Sequence, residues 1–178
     1  MSNSNSKVAI VTDAARGIGL AIAEWFLAHE HRVALLDIDG ESLDRAARQL
    51  GDAARVQALH CDVSVPAQVL AAVAAVDGRF GRVDALVNNA GVAIFKPLLQ
   101  TSFDEWRHVM STNLDGPFLC TQAAAPLMLR GSGGRSACPA CALRRRRDPS
   151  RREQRQTSCK RVLRVGVARC GRVAGRHQ

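Results

Sequence analysis

The chain has 178 residues with 25 Lys+Arg and 16 Asp+Glu, a formal net charge of +9, and 47% hydrophobic residues. That size and apolar content suit one globular core and exclude wholesale disorder. No run approaches the roughly 18 apolar residues of a membrane span, and the polar opening MSNSNSK lacks the apolar stretch of a secretory signal. A cytoplasmic protein without a membrane partner is therefore expected. Six cysteines outside a secretory context point to reduced thiols rather than a disulfide framework. There is no tyrosine anywhere.

The averages hide two unlike pieces. Residues 1–135 carry 12 Lys+Arg and 14 Asp+Glu, whereas residues 136–178 carry 13 and 2, so the whole basic excess lies in the last 43 residues. That tail holds Cys138, Cys141, Cys159 and Cys170 but no Ile, Phe, Trp or Met, and offers little that could pack a core. A solvated, disordered tail is expected beyond a boundary at about Arg135.

The front piece alternates strand and helix signals. Lys7 to Thr12 is a short β-branched run, expected as a buried strand. Ile18, Ile22, Trp25 and Phe26 recur at helical spacing and predict a helix to about His29. Arg32 to Ile38 is a second strand, and Leu43 to Leu50 a second helix ended by Gly51. Val56 to Val63 is a third strand. Ser64 is placed as the cap of the next helix, with Pro66 in its first turn and Val69, Val73 and Val76 on its inner face. Val83 to Val87 is a fourth strand. A long helix is expected from about Ser102 to Leu129, bent at Pro117 or broken before Pro126. Repeated strand–helix units imply an α/β fold, a Rossmann-type doubly wound parallel sheet, incomplete at about four strands. Its fourth strand would then be an uncovered, aggregation-prone edge.

The first strand–helix turn carries the chemistry. Thr12-Asp13-Ala14-Ala15-Arg16-Gly17-Ile18-Gly19 joins the first strand to the first helix. Glycines there let a backbone approach a pyrophosphate, and a helix N-terminus offers unpaired N–H groups with partial positive charge. Asp37 follows about twenty residues on, where a carboxylate can accept hydrogen bonds from an adenosine ribose. The alternative is a tight structural corner. Turn, context and Asp37 together favour nucleotide binding.

Thr12…Gly17-Ile18-Gly19, Asp62-Val63, Asn88-Asn89-Ala90-Gly91 and Asn113-Leu114 together resemble the classical short-chain dehydrogenases/reductases, over about residues 7–135. The resemblance implies hydride transfer between alcohols and carbonyls with NAD or NADP. It implies that Asp62 and Val63 flank the adenine, that Asn89, Ala90 and Gly91 run along the cofactor, and that Asn88–Gly91 steadies the central sheet. Asp37 would repel a ribose 2′-phosphate and bond a free hydroxyl, which favours NAD, although Arg16 sits where NADP-preferring relatives often carry a base. The family has Gly where this chain has Asp13; Asp tolerates unusual backbone angles, and Asp13 either weakens cofactor binding or turns away to cap the following helix.

Asn113 falls with Trp106 and Met110 on one apolar helix face, where a buried amide needs partners. It is either bonded to backbone or water, or, as the resemblance implies, a remnant of an Asn-Ser-Tyr-Lys catalytic set. The rest of that set does not match. Lys160 lies about where the family's Lys would be, but Gln156 occupies the Tyr position and has no titratable proton. A Ser-bearing β-branched strand after Gly133-Gly134-Arg135 is also lacking, and Ser-Ala-Cys-Pro-Ala-Cys arrives instead. The tail reads like out-of-frame translation of GC-rich DNA. The small alcohol or ketone substrate is then implied by the family alone, and the family's dimer-forming helices find no counterpart. The tail's arginines, from Arg144 to Arg147 with Arg151, Arg152 and Arg155, lack interleaved aromatics, so nucleic-acid binding is disfavoured. Cys138 and Cys141 form one zinc-like half without a second short pair, so no metal is expected.

Overall fold

The computed structural model describes residues 6–130 and 135–137. Five parallel strands, β1 (Val8–Thr12), β2 (Arg32–Asp37), β3 (Val56–His60), β4 (Ala85–Val87) and β5 (Arg135–Ala137), form one sheet in the order β3-β2-β1-β4-β5. Between them run helices α1 (Gly17–Ala28), α2 (Gly40–Leu50), α3 (Pro66–Phe80), α4 (Phe103–Met110) and α5 (Gly116–Arg130). This is the doubly wound order, and the chain reverses its direction of travel across the sheet between β1 and β4.

Alternation along β1 explains the two-faced core. Val8 and Ile10, with Ala34, Leu36 and Leu86, pack under Val69, Val73 and Val76 of α3 and Cys120, Ala124 and Leu127 of α5. Val11, with Val33 and Leu35, packs on the other face against Ala23 and Leu27 of α1 and Leu43 of α2. Strands buried on both faces read as continuous apolar runs, as Val8–Val11 does. Among the described residues, no helix is long and apolar enough to cross a membrane.

Several expectations need correction. The sheet has five strands, not four, and β4 is not an edge: Ala85, Leu86 and Val87 pair in parallel with Arg135, Ser136 and Ala137. Arg-Ser-Ala has little strand propensity, but the unpaired groups of β4 supply the partner that propensity does not. The inner stripe of α1 is Gly19, Ala23 and Leu27, while Ile18 and Trp25 face solvent; Trp25 instead stacks on His29 at 3.9 Å. Helix α2 begins a turn early because Asp39 caps it, accepting from the Ser42 N–H. Ser64 does not cap α3; its N–H and hydroxyl both donate to Asp62. The expected long helix is interrupted neither at Pro117 nor at Pro126, but by a π turn at Ser111–Asp115. Phe103, Trp106 and Phe118 lie half or more exposed along it, consistent with a helix short of packing surface. Cys138, Cys141, Gln156, Lys160 and the tail arginines lie outside the described residues.

At the opposite edge from the strand tips, Asp84 joins two strands. Its carboxylate accepts from the Val8 N–H at 2.9 Å and from Arg82 at 2.8 and 2.6 Å. Burial alone would raise its pKa, but the hydrogen bonds from Arg82 and Val8 outweigh that and hold it below the ordinary carboxylate value. A depressed folded-state pKa contributes stability that is present above the unfolded value and lost as pH falls through the folded one. Asp84→Asn should therefore cost about 1–3 kcal/mol at neutral pH in urea unfolding, with the gap closing below pH ~4. A gap that is independent of pH would contradict this role.

Candidate functional site

The carboxyl ends of β1 and β4 flank a crevice at the point where strand order reverses, the usual ligand position in such sheets. Thr12, 1% exposed, sits at its floor. Its Oγ1 accepts the N–H groups of Asn89 and Ala90, both at 2.9 Å, and donates to the Val87 carbonyl at 3.4 Å. A hydroxyl has one proton and two lone pairs, so Thr12 is fully used. Asn89 Nδ2 returns the tie by donating to the Asp13 carbonyl at 3.2 Å. Thr12, Asp13, Asn89 and Ala90 are thus brought into one unit by bonds spanning more than seventy residues of sequence.

Gly17 and Gly19 shape the turn for different reasons. Gly17 has φ +55°, a left-handed backbone that an L side chain resists. Gly19 is needed for space: a Cβ there would run into the Asp13 carbonyl and lie 2.9 Å from Asn89 Nδ2. Asp13 itself has φ 52°, which Asp tolerates better than most residues. It does not cap α1. Arg16 holds that place with extended backbone and no side-chain hydrogen bond, and the first turn carries no acid. The N-terminus of α1 therefore keeps its N–H groups and partial positive charge without an acidic side chain of the first turn or of the cap on them. Arg16 is largely exposed, 3.8 Å from Asp39, and Ile18 is 73% exposed on the rim.

Asp37 is buried at the tip of β2. One carboxylate oxygen accepts from the Ala15 N–H and the other from the Asp39 N–H, both at 2.9 Å. Each oxygen retains a lone pair, and the carboxylate cannot swing away. Next along the edge, Asp62 folds back on Ser64, and its N–H donates to Gln68 Oε1 at 2.8 Å. Val63 is buried in the core, where a Cβ on Gly116 would lie 2.9 Å from it; its side chain serves the approach of α5. Gly91 lies near Asn113, where a Cβ would meet Oδ1 at 3.5 Å.

Asn113 is exposed, not buried, and sits in the π turn. Its Oδ1 accepts from the Val92 N–H and its Nδ2 donates to the Val92 carbonyl, both at 2.8 Å. The side chain is thus bonded to backbone, fastening the loop that follows Gly91 to the helix. Sequence reasoning missed Val92, Asp39 and Gly116, and the only local signal was the Gly116-Pro117 pair. Buried Asn88 donates to Thr121 at 3.4 Å, its N–H reaches the Ala137 carbonyl at 2.9 Å, and its Oδ1 has no partner among the described residues. Cys61 and Cys120 are free thiols pushed up by burial to about 11 and about 12, so neither supplies a thiolate near neutrality. Among the described residues no three His, Cys, Asp or Glu side chains gather as metal ligands.

A turn closed this tightly predicts a sharp cost for any Cβ in it. Gly19→Ala should destabilise the fold by about 2–4 kcal/mol in denaturant unfolding, more than Gly17→Ala at about 1–2 kcal/mol. Equal, negligible losses would show that the turn relaxes freely.

The uncapped helix end, the Gly19 cradle and the fixed Asp37 carboxylate thus lie around one crevice, and the chain that forms it is similar to known proteins. The short chain dehydrogenase family model matches residues 7–136. D-threitol dehydrogenase of Mycolicibacterium smegmatis is 43% identical over 131 residues, 73% of this chain and 50% of that protein. Galactitol 2-dehydrogenase of Agrobacterium fabrum is 39% identical over 132 residues, 74% of this chain and 51% of that protein. Among solved structures, 3-ketoacyl-(acyl-carrier-protein) reductase from Brucella melitensis, complexed with NADH, matches with TM-score 0.67 and 33% identity over 70% of this chain and 50% of its own. The chain spans about half the length of the curated relatives it matches. With this match across its sheet and its switch-point crevice, the chain belongs to the short-chain dehydrogenase family.

Proposed function

We propose that residues 7–136 bind a nicotinamide dinucleotide in the β1–β4 crevice and prefer NAD to NADP. The observation that carries this reading is the pairing of an uncapped α1 N-terminus with the buried, doubly anchored Asp37. The N–H groups around Gly17, Ile18 and Gly19, beside Thr12 and Asp13, hold the diphosphate. Asp37 offers its remaining lone pairs to the ribose hydroxyls and opposes a 2′-phosphate there; exposed Arg16, drawn toward Asp39, gives that phosphate little help. Asp62 and Val63 border the adenine through their backbone, and Asn89, Ala90 and Gly91 line the path toward the nicotinamide. The free thiols of Cys61 and Cys120 suit a cytoplasmic setting. The binding unit ends at about residue 135, near β5.

In the whole protein the reading is a dehydrogenase of a small alcohol or ketone. The bound dinucleotide supplies the hydride acceptor or donor. The protein must then move a proton at the substrate oxygen, and a tyrosine activated by lysine does this in the family. These 178 residues contain no tyrosine, and Asn113, the one remnant of the set, has its side chain committed to Val92. By themselves they should bind the cofactor without turning over an alcohol.

Two measurements test this. Calorimetry should show that Asp37→Ala weakens NAD by about tenfold while NADP is relatively favoured, because the change removes both a hydroxyl partner and a repulsion. An unchanged ratio of the two affinities would remove Asp37 from the ribose site. Incubation of the chain with NAD and small secondary alcohols should yield no NADH; turnover would reveal an acid–base group other than tyrosine.

A further inference from the structure

We infer that Asp39 is a specificity-determining residue of this crevice: its anchored carboxylate tethers the Arg16 guanidinium and so withholds from a 2′-phosphate the one base of the glycine turn. The inference rests on the nicotinamide-dinucleotide reading above and adds to Asp37 a second residue that sets the choice between the two cofactors.

Three element ends meet at this point. Asp37 closes β2, Asp39 caps α2, and Arg16 stands at the cap position of α1. The Asp39 N–H donates to Asp37 Oδ1 at 2.9 Å, so a single tight bend separates the two carboxylates. That bend is held from the β3 side, where the His60 ring donates to the Ile38 carbonyl at 2.9 Å. The Asp39 side chain is held as well. Its Oδ1 accepts the Ser42 N–H at 3.0 Å, and its Oδ2 accepts the Ser42 hydroxyl at 2.7 Å. Arg45 donates to that hydroxyl at 2.8 Å. An arginine can only donate, so the hydroxyl proton must point at Asp39. Arg16 reaches the same Oδ2, with Nη1 3.8 Å away, and this is its only ion pair among the described residues.

Asp39 is thus fixed by Ser42 and Arg45, whereas the Arg16 side chain is 72% exposed and free to follow whichever anion holds it best. The hydrogen bonds from Ser42, with Arg16 and Arg45 nearby, keep the Asp39 carboxyl below its ordinary value, so it is ionised near neutral pH. A 2′-phosphate set against Asp37 would lie one bend from Asp39. It would meet two fixed negative charges, with the mobile positive charge already balanced. A 2′-hydroxyl carries no charge, so the same tether leaves NAD nearly unaffected and weakens NADP. Exposed ion pairs are weak and screened by salt, so the effect is largest at low ionic strength.

The test uses the full chain with NAD and NADP, which differ only in the 2′-phosphate. Asp39→Asn removes the charge while its side-chain oxygen can still cap α2, and Asp39→Ser does the same with a shorter side chain. Calorimetry at low salt should show the NADP-to-NAD affinity ratio rising about five- to tenfold in both variants, with NAD affinity itself within about twofold of the parent. The rise should shrink in about 0.5 M salt. On an Arg16→Gln background, Asp39→Asn should raise the ratio by no more than about twofold, because the arginine it would release is gone. An unchanged ratio in both Asp39 variants, with NAD still bound, overturns the inference and leaves the cofactor reading standing. An equal rise with and without Arg16 also overturns it, since Asp39 would then act by direct repulsion alone. A parallel fall in NAD and NADP affinity marks a merely structural role and overturns it too. Binding of neither dinucleotide to the parent overturns the cofactor reading and the inference with it.

Discussion

A buried threonine hydroxyl has one proton to give and two lone pairs to fill, and Thr12 uses all three on the last residue of β4 and the segment that follows it. Parallel strands pair side by side, but nothing in that pairing dictates how the loops at their tips meet. Here the tips of β1 and β4 are joined by this one side chain, and Asn89 reinforces the join by donating to the Asp13 carbonyl. The crevice has its shape because these two loops leave the sheet at a fixed separation. The position of α1 follows, since the turn that launches it is closed between Asp13, Gly19 and Asn89.

Electrostatics then divides the crevice into two ends. The α1 N-terminus brings partial positive charge with no acid in its first turn, while Asp37 and Asp13 place carboxyl groups at the tip of β2 and in the turn itself. A ligand that spans both needs an anionic middle and a hydroxyl-rich neighbour, as the proposed dinucleotide has. Asp37 suits this because its two backbone N–H donors stabilise its charge without using up its acceptors.

What was legible in the sequence followed from local rules. The β-branched run ending at Thr12, the glycine turn and Asp37 at the next strand tip announce themselves by type and spacing, and the structure brings them together. The partners of Asp37 were not legible, because Ala15 and Asp39 contribute backbone N–H groups that any residue could supply. Strand β5 was missed because Arg-Ser-Ala carries no strand signal and is a strand through pairing with β4. The π turn was hidden behind Pro117 and Pro126, residues that look like helix breakers but are accommodated in α5. Asn113 looked like a buried amide by helical periodicity; the π turn changes that periodicity and carries it to the surface, bonded to Val92.

The Thr12 clamp as organiser of the crevice is tested most directly by amide hydrogen exchange at Asn89 and Ala90, measured alongside NAD affinity, in Thr12→Ser and Thr12→Val. Serine keeps the hydroxyl, so protection of both amides and NAD binding should stay close to the parent. Valine keeps the shape and removes the acceptor, so both amides should lose protection and NAD binding should fall by about tenfold or more, with the helices retained. Protected amides and unchanged NAD affinity in Thr12→Val would show that the two loops hold their places without the hydroxyl.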